Sequence, residues 1–85
     1  MPLIMTDIQL HILSPEGELV QASAELVTLP GIVGPFTVLP GHAALVTALV
    51  AGDIRYVSAG KEERVPIREG FVQVRDNVIK ACVEI

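Results

Sequence analysis

No stretch of this chain runs far before a turn signal interrupts it. Ser14-Pro15-Glu16-Gly17, Pro30 to Pro35, Leu39-Pro40-Gly41-His42, Gly52, Ala59-Gly60-Lys61-Glu62 and Asp76-Asn77 cut it into short pieces. Strand-length runs separated in this way predict an all-β sandwich or barrel.

The pieces carry strand periodicity. In Asp7-Ile8-Gln9-Leu10-His11-Ile12 the residues Ile8, Leu10 and Ile12 share one side. Asp7, Gln9 and His11 share the other, as in a half-buried strand. Ser14 to Gly17, with Pro second and Gly fourth, suits a type I turn. Glu18 to Leu29 fits two patterns. Val20, Ala22, Ala24 and Leu26 alternate as a strand, while Leu19, Ala22, Leu26 and Leu29 form a helical stripe. The phase shift after Leu26 favours two strands joined by a bulge or bend.

Further along, Pro30 to Pro35 reads as a loop and Phe36-Thr37-Val38 as a short strand. Leu39 to His42 is a tight turn. Ala43 to Val50 is expected as an apolar strand covered on both sides, broken by Gly52. Ile54 to Val57 resumes extended structure, and Ala59 to Glu62 closes a hairpin. In the return strand Val65 and Ile67 point inward, and Pro66 places it at an edge or a bulge. Phe71 to Arg75 and Val78 to Val83 flank Asp76-Asn77, which tolerate the positive φ of a two-residue hairpin turn. The total is about eight or nine strands.

The 85 residues fit one domain, 1–85. A chain this short has a thin core, yet 51% of it is hydrophobic. The surplus implies apolar surface that partners cover. The net charge of −4 argues against nucleic acid, which needs clustered Lys and Arg. Three aromatic residues, Phe36, Tyr56 and Phe71, are too few for a base-stacking groove. Cys82 is the one cysteine, which excludes an intrachain disulfide and favours a reducing compartment. Met1 to Asp7 has no basic stretch and too short an apolar run for a signal peptide. Ala43 to Ala51 is too short to span a bilayer.

Catalytic and cofactor motifs are not found. Gly60-Lys61 is followed by Glu62, where a phosphate-binding loop needs Ser or Thr. His11, His42 and Cys82 are far apart in sequence, which disfavours a metal site. Cys82 reads as a small packed hydrophobe. Glu62-Glu63 reads as a solvated hairpin tip, and His11 as exposed. No cofactor and no enzymatic role are expected.

The run Gly34-Pro35-Phe36-Thr37-Val38-Leu39-Pro40-Gly41-His42-Ala43-Ala44-Leu45-Val46-Thr47-Ala48-Leu49 resembles the epsilon-subunit family of rotary ATP synthases. Other features follow in the family's order. Asp7-Ile8 leads to Ser14-Pro15-Glu16-Gly17. Gly52-Asp53-Ile54-Arg55, Gly70-Phe71-Val72-Gln73-Val74 and Asn77-Val78 match later strands and the last hairpin. The chain departs from the family at Arg68-Glu69, where Ser-Gly is usual, and at Pro35, where an acidic residue is common. The family's C-terminal helical hairpin has no counterpart before Ile85. Its inhibitory and nucleotide-sensing roles are therefore not carried over.

The resemblance implies a flattened, mostly antiparallel β-sandwich of about ten short strands. It implies a non-catalytic subunit of the central stalk that docks on the gamma subunit and on the membrane ring of c subunits. Direct membrane insertion is not implied; the place would be peripheral, at the cytoplasmic face of the inner membrane. By position it marks Gly31, Gly34, Pro35, Leu39, Pro40, Gly41 and His42 as ring-facing. A competing reading is a biotinyl or lipoyl carrier domain, with Lys61 at a hairpin tip. The neighbours Gly60 and Glu62 do not fit the carrier pattern.

Overall fold

Turn chemistry sets where each strand ends. The computed structural model describes residues 7–85. The reading of Met1 to Thr6 as lacking an export signal lies outside them. Nine strands are present among the described residues: β1 Ile8–Ser14, β2 Gly17–Ala24, β3 Leu26–Gly31, β4 Gly34–Val38, β5 Leu45–Leu49, β6 Gly52–Ser58, β7 Lys61–Ile67, β8 Glu69–Arg75 and β9 Val78–Glu84. Asp76 and Asn77 have φ of 52° and 62°, and Ala59 and Gly60 have 53° and 74°. Positive φ at both central residues gives a turn whose twist matches the strands it joins.

The strands form one sheet in the order β2-β1-β9-β8-β5-β3-β6-β7, with β4 beside β3. All neighbours are antiparallel except β1 and β9, which run parallel. The sheet folds over on itself until β2 meets β6. There the Glu25 amide donates to the Val57 carbonyl at 2.8 Å, and the Ser58 hydroxyl donates to the Ser23 carbonyl at 2.7 Å. The 20 Å short dimension is what two layers about 10 Å apart require once outer side chains are added.

The core lies between the layers. Ile8, Leu10 and Ile12 are fully buried, as their alternation predicts, and meet Val27, Leu29, Ile54, Val72, Val74 and Ile79. Glu18 to Leu29 is strand, not helix. Leu19 is the extra residue of a bulge, because Ile12 pairs with Val20 and Leu13 with Glu18. Glu25 separates β2 from β3. Pro66 lies in β7, the last strand of the path, where a missing amide breaks no ladder.

Four expectations need correction. Pro30 to Pro35 is not a loop; only Ile32 and Val33 form the turn, and Pro30 pairs with Pro35 across β3 and β4. The Pro30 carbonyl points away from β4 and accepts from the Val50 amide at 2.9 Å. The nitrogen of a strand residue points the same way as its carbonyl, so the prolines meet where the β3–β4 ladder asks for no N–H. Second, β5 is covered on one side only: Leu49 is buried while Val46 is 71% exposed. Third, Gly52 opens β6 rather than ending β5. Fourth, His11 is half-buried, with Nδ1 3.1 Å from Oε2 of Glu18.

Tyr56 is buried in the core on β6. Its phenol is held above the usual 10.0, first by burial and then by the Glu63 carboxylate, its partner on β7. An unfolded chain releases this proton near pH 10, while the folded chain keeps it to higher pH. Stability is complete below about pH 10 and falls as pH rises through the folded value. Phenolate absorbance should show a higher midpoint for folded than for urea-unfolded protein; equal midpoints would contradict this.

Candidate docking surface

The β3–β4 hairpin turns on Ile32 and Val33, which are 62% and 96% exposed. Both flanking positions need glycine. Gly34 has φ of 141°, a conformation that side-chain-bearing residues rarely adopt. At Gly31 an added Cβ would lie 2.9 Å from the Phe36 ring and 2.8 Å from the Gly34 carbonyl oxygen. The hairpin therefore closes tightly and pushes two bare aliphatic side chains into solvent.

Leu39 to His42 follows β4 as a turn. The His42 amide donates to the Leu39 carbonyl at 3.1 Å, and Gly41 has φ of 85°. Pro second and a positive-φ glycine third define a type II turn. The Gly41 amide donates to Oδ1 of Asn77 at 2.7 Å. His42 Nδ1 lies 2.7 Å from the Ala43 carbonyl oxygen. A carbonyl only accepts, so Nδ1 carries the proton and donates. Leu39 stays 53% exposed.

The seven residues marked by resemblance fall into two groups. Gly31, Gly34 and Pro35 sit at the hairpin, and Leu39, Pro40, Gly41 and His42 sit at the far end of β4. That strand has five residues, so the groups are about 13–17 Å apart. What joins them is the edge of β4, whose one strand partner among the described residues is β3. Beside it runs a shallow groove of about 420 Å³ between Val33, Pro35 and Phe36 on one side and Leu45, Val46 and Thr47 on the other.

A second apolar surface crosses the outer face of the other layer. Ala48 pairs with Phe71, Phe71 with Cys82, and Cys82 with Leu13. Paired residues share a face, so these four form one row. Val46 stands one position along, and Phe71 is 55% exposed. Reasoning from the sequence missed Ile32, Val33, Val46 and Phe71. The available signal was phase: Val46 and Phe71 are apolar at positions out of step with the core residues on either side of them.

Other candidate chemistry does not assemble. Among the described residues no three of His, Cys, Asp or Glu approach as metal ligands. Cys82 is a free, half-buried thiol on the outer face. Lys61 is not at a hairpin tip: Ala59 and Gly60 form the turn, and Lys61 pairs with Ser58 at the start of β7. No helix among the described residues is long and apolar enough to cross a membrane.

The described residues thus form a curled, all-β sandwich domain that leaves apolar side chains exposed at the β3–β4 turn and on an outer face. Residues 7–85 match the family model for the ATP synthase delta/epsilon chain beta-sandwich domain, and the chain belongs to that family. It is 43% identical over 70 residues to the ATP synthase epsilon chain of Desulfitobacterium hafniense, covering 82% of this chain and 53% of that one. It is 42% identical over 82 residues to the epsilon chain of Campylobacter fetus, covering 94% and 63%. The chain thus spans between half and two thirds of these curated relatives. It also superposes, with a TM-score of 0.86 and 26% identity, on a chain of the Euglena gracilis mitochondrial ATP synthase, solved as an OSCP/F1/c-ring assembly. That match covers 96% of this chain and 53% of the other. A central stalk/c-ring structure from Tetrahymena thermophila shares the fold, with a TM-score of 0.78 at 15% identity. Epsilon chains are structural and regulatory subunits, not catalytic ones.

Proposed function

We propose that this chain is a rigid docking piece of the ATP synthase central stalk, joining a gamma-type subunit to the membrane ring of c subunits so that they turn together. The carrying observation is the pairing of a fully apolar two-layer core with two separate exposed apolar surfaces. The close-packed core transmits load without yielding. The surfaces supply the lasting contacts that a permanent interface needs.

The β3–β4 hairpin and the β4 edge, with Gly31, Gly34, Pro35, Leu39, Pro40, Gly41 and His42, are assigned to the ring. The ring's polar loops would meet the turn at each end of β4 and lie along the groove between. The outer-face row of Ala48, Phe71, Cys82 and Leu13 is assigned to gamma. The chain's own place is then peripheral to the membrane, on the cytoplasmic side.

Co-purification tests this reading. A tagged chain should retain a gamma-type subunit and c subunits through detergent washing. Recovery of neither would reject it. Within the same assay His42→Ala should shift the unfolding midpoint little, since surface substitutions stay within about 0.5 kcal/mol. ATP-driven proton pumping by vesicles carrying it should fall severalfold, as one lost contact of about 1 kcal/mol implies. A collapse of the melting temperature would make His42 a structural residue and void its assignment.

A further inference from the structure

We infer that Asn77 is a positioning residue for the docking end of the molecule. The inference rests on the functional reading above and adds a residue from a different hairpin to it. Asn77 belongs to the β8–β9 turn, 36 residues from Gly41 in sequence. Its Oδ1 takes the Gly41 amide at 2.7 Å, and its backbone carbonyl takes the Gln9 amide at 2.8 Å. One half-buried residue thus ties together the start of β1, the β8–β9 turn and the Pro40-Gly41 turn.

The reason lies in the turn type. A type II turn uses the amide of its fourth residue, here His42, and leaves that of its third unused. The third residue is Gly41, the most conformationally free in the turn. Without a partner its peptide plane is held by the turn alone. The Asn77 side chain fixes that plane, and with it the direction in which Leu39 and His42 leave the sandwich. Asn77 also has φ of 62°, which Asn tolerates well. The same backbone state that closes the hairpin aims its side chain at Gly41.

Two variants separate this role from turn formation. Asn77→Gly gives the β8–β9 turn an Asp-Gly pair, a strongly preferred choice for this geometry. It keeps the hairpin and deletes the acceptor. Asn77→Asp keeps both the acceptor and the tolerance for positive φ. Hydrogen exchange of the Gly41 amide should be slow in the wild type and in Asn77→Asp, and at least severalfold faster in Asn77→Gly. Affinity for purified c-ring should fall about 2–10-fold in Asn77→Gly, the weight of one hydrogen bond, and recover in Asn77→Asp, with gamma-subunit affinity unchanged in both. Unchanged Gly41 exchange in Asn77→Gly overturns the inference, as does faster exchange with undiminished ring affinity. If the wild type binds neither partner, the functional reading fails and the docking role of Asn77 falls with it. The exchange data would still report whether the hydrogen bond holds the turn.

Discussion

Gly70→Ala should unfold this protein far more easily than any surface change. On most strands the exchange of glycine for alanine is mildly favourable, because it restricts the unfolded chain by about 0.4–1 kcal/mol. Gly70 is different. It sits on β8 between Leu49 of β5 and Val83 of β9. A Cβ there would fall on the Cys82 carbonyl oxygen, well inside contact distance, and 3.0 Å from both Cα and Cγ1 of Val83. Two of these atoms are backbone, held by the β8–β9 ladder, so no rotamer change relieves the clash. Overpacking of this kind costs about 3 kcal/mol or more. A chain of 85 residues has a total stability of roughly 4–13 kcal/mol. The melting temperature should drop by roughly 12–24 °C. A midpoint equal to or above that of the wild type would show that β8 and β9 do not approach as described.

Val33→Asp should have the opposite profile: an unchanged fold and a lost partner. Val33 is 96% exposed at the hairpin tip and supports nothing inside the sandwich. Its substitution should move the melting temperature by a degree or two. In the proposed complex the same side chain is covered by the ring. Burial of a valine contributes about 1.5–3 kcal/mol, and a desolvated carboxylate in its place adds a further penalty. A loss of about 2–4 kcal/mol lowers affinity for the ring roughly thirtyfold to a thousandfold. Binding to the gamma subunit alone should be unaffected, because Val33 lies off the Phe71 face. Purified ring and gamma subunit, titrated separately, make the comparison. Undiminished ring affinity would remove the hairpin from the ring interface. Loss of both affinities together would point to a folding defect instead.

Local structure was readable because its causes are local. Alternation at Ile8, Leu10 and Ile12 fixed which side of β1 is buried. Asp76-Asn77 announced a positive-φ turn. Pro66 announced an edge strand or a bulge, and the edge is what the sheet order shows. The misreadings share one cause. Pro30 and Pro35 signal a loop only if each would interrupt a ladder, and whether it does depends on which side of the strand carries the partner. Val46 in an apolar run signals double coverage only if something covers the outer face. Neither question has an answer within a few residues of chain.

The residues themselves determined the class of fold, the phase of each strand and the positions of the turns, since side-chain alternation and backbone φ preferences act over a few positions. Only the tertiary structure decided which strands are neighbours. Parallel pairing sets β1, the first strand, beside β9, the last, and antiparallel pairing of β5 with β8 brings the Asn77 turn against Gly41. Many strands here share the same apolar pattern. Their choice of partner is made by the packing of the whole core, where contacts distant in sequence compete and the best-filled arrangement wins.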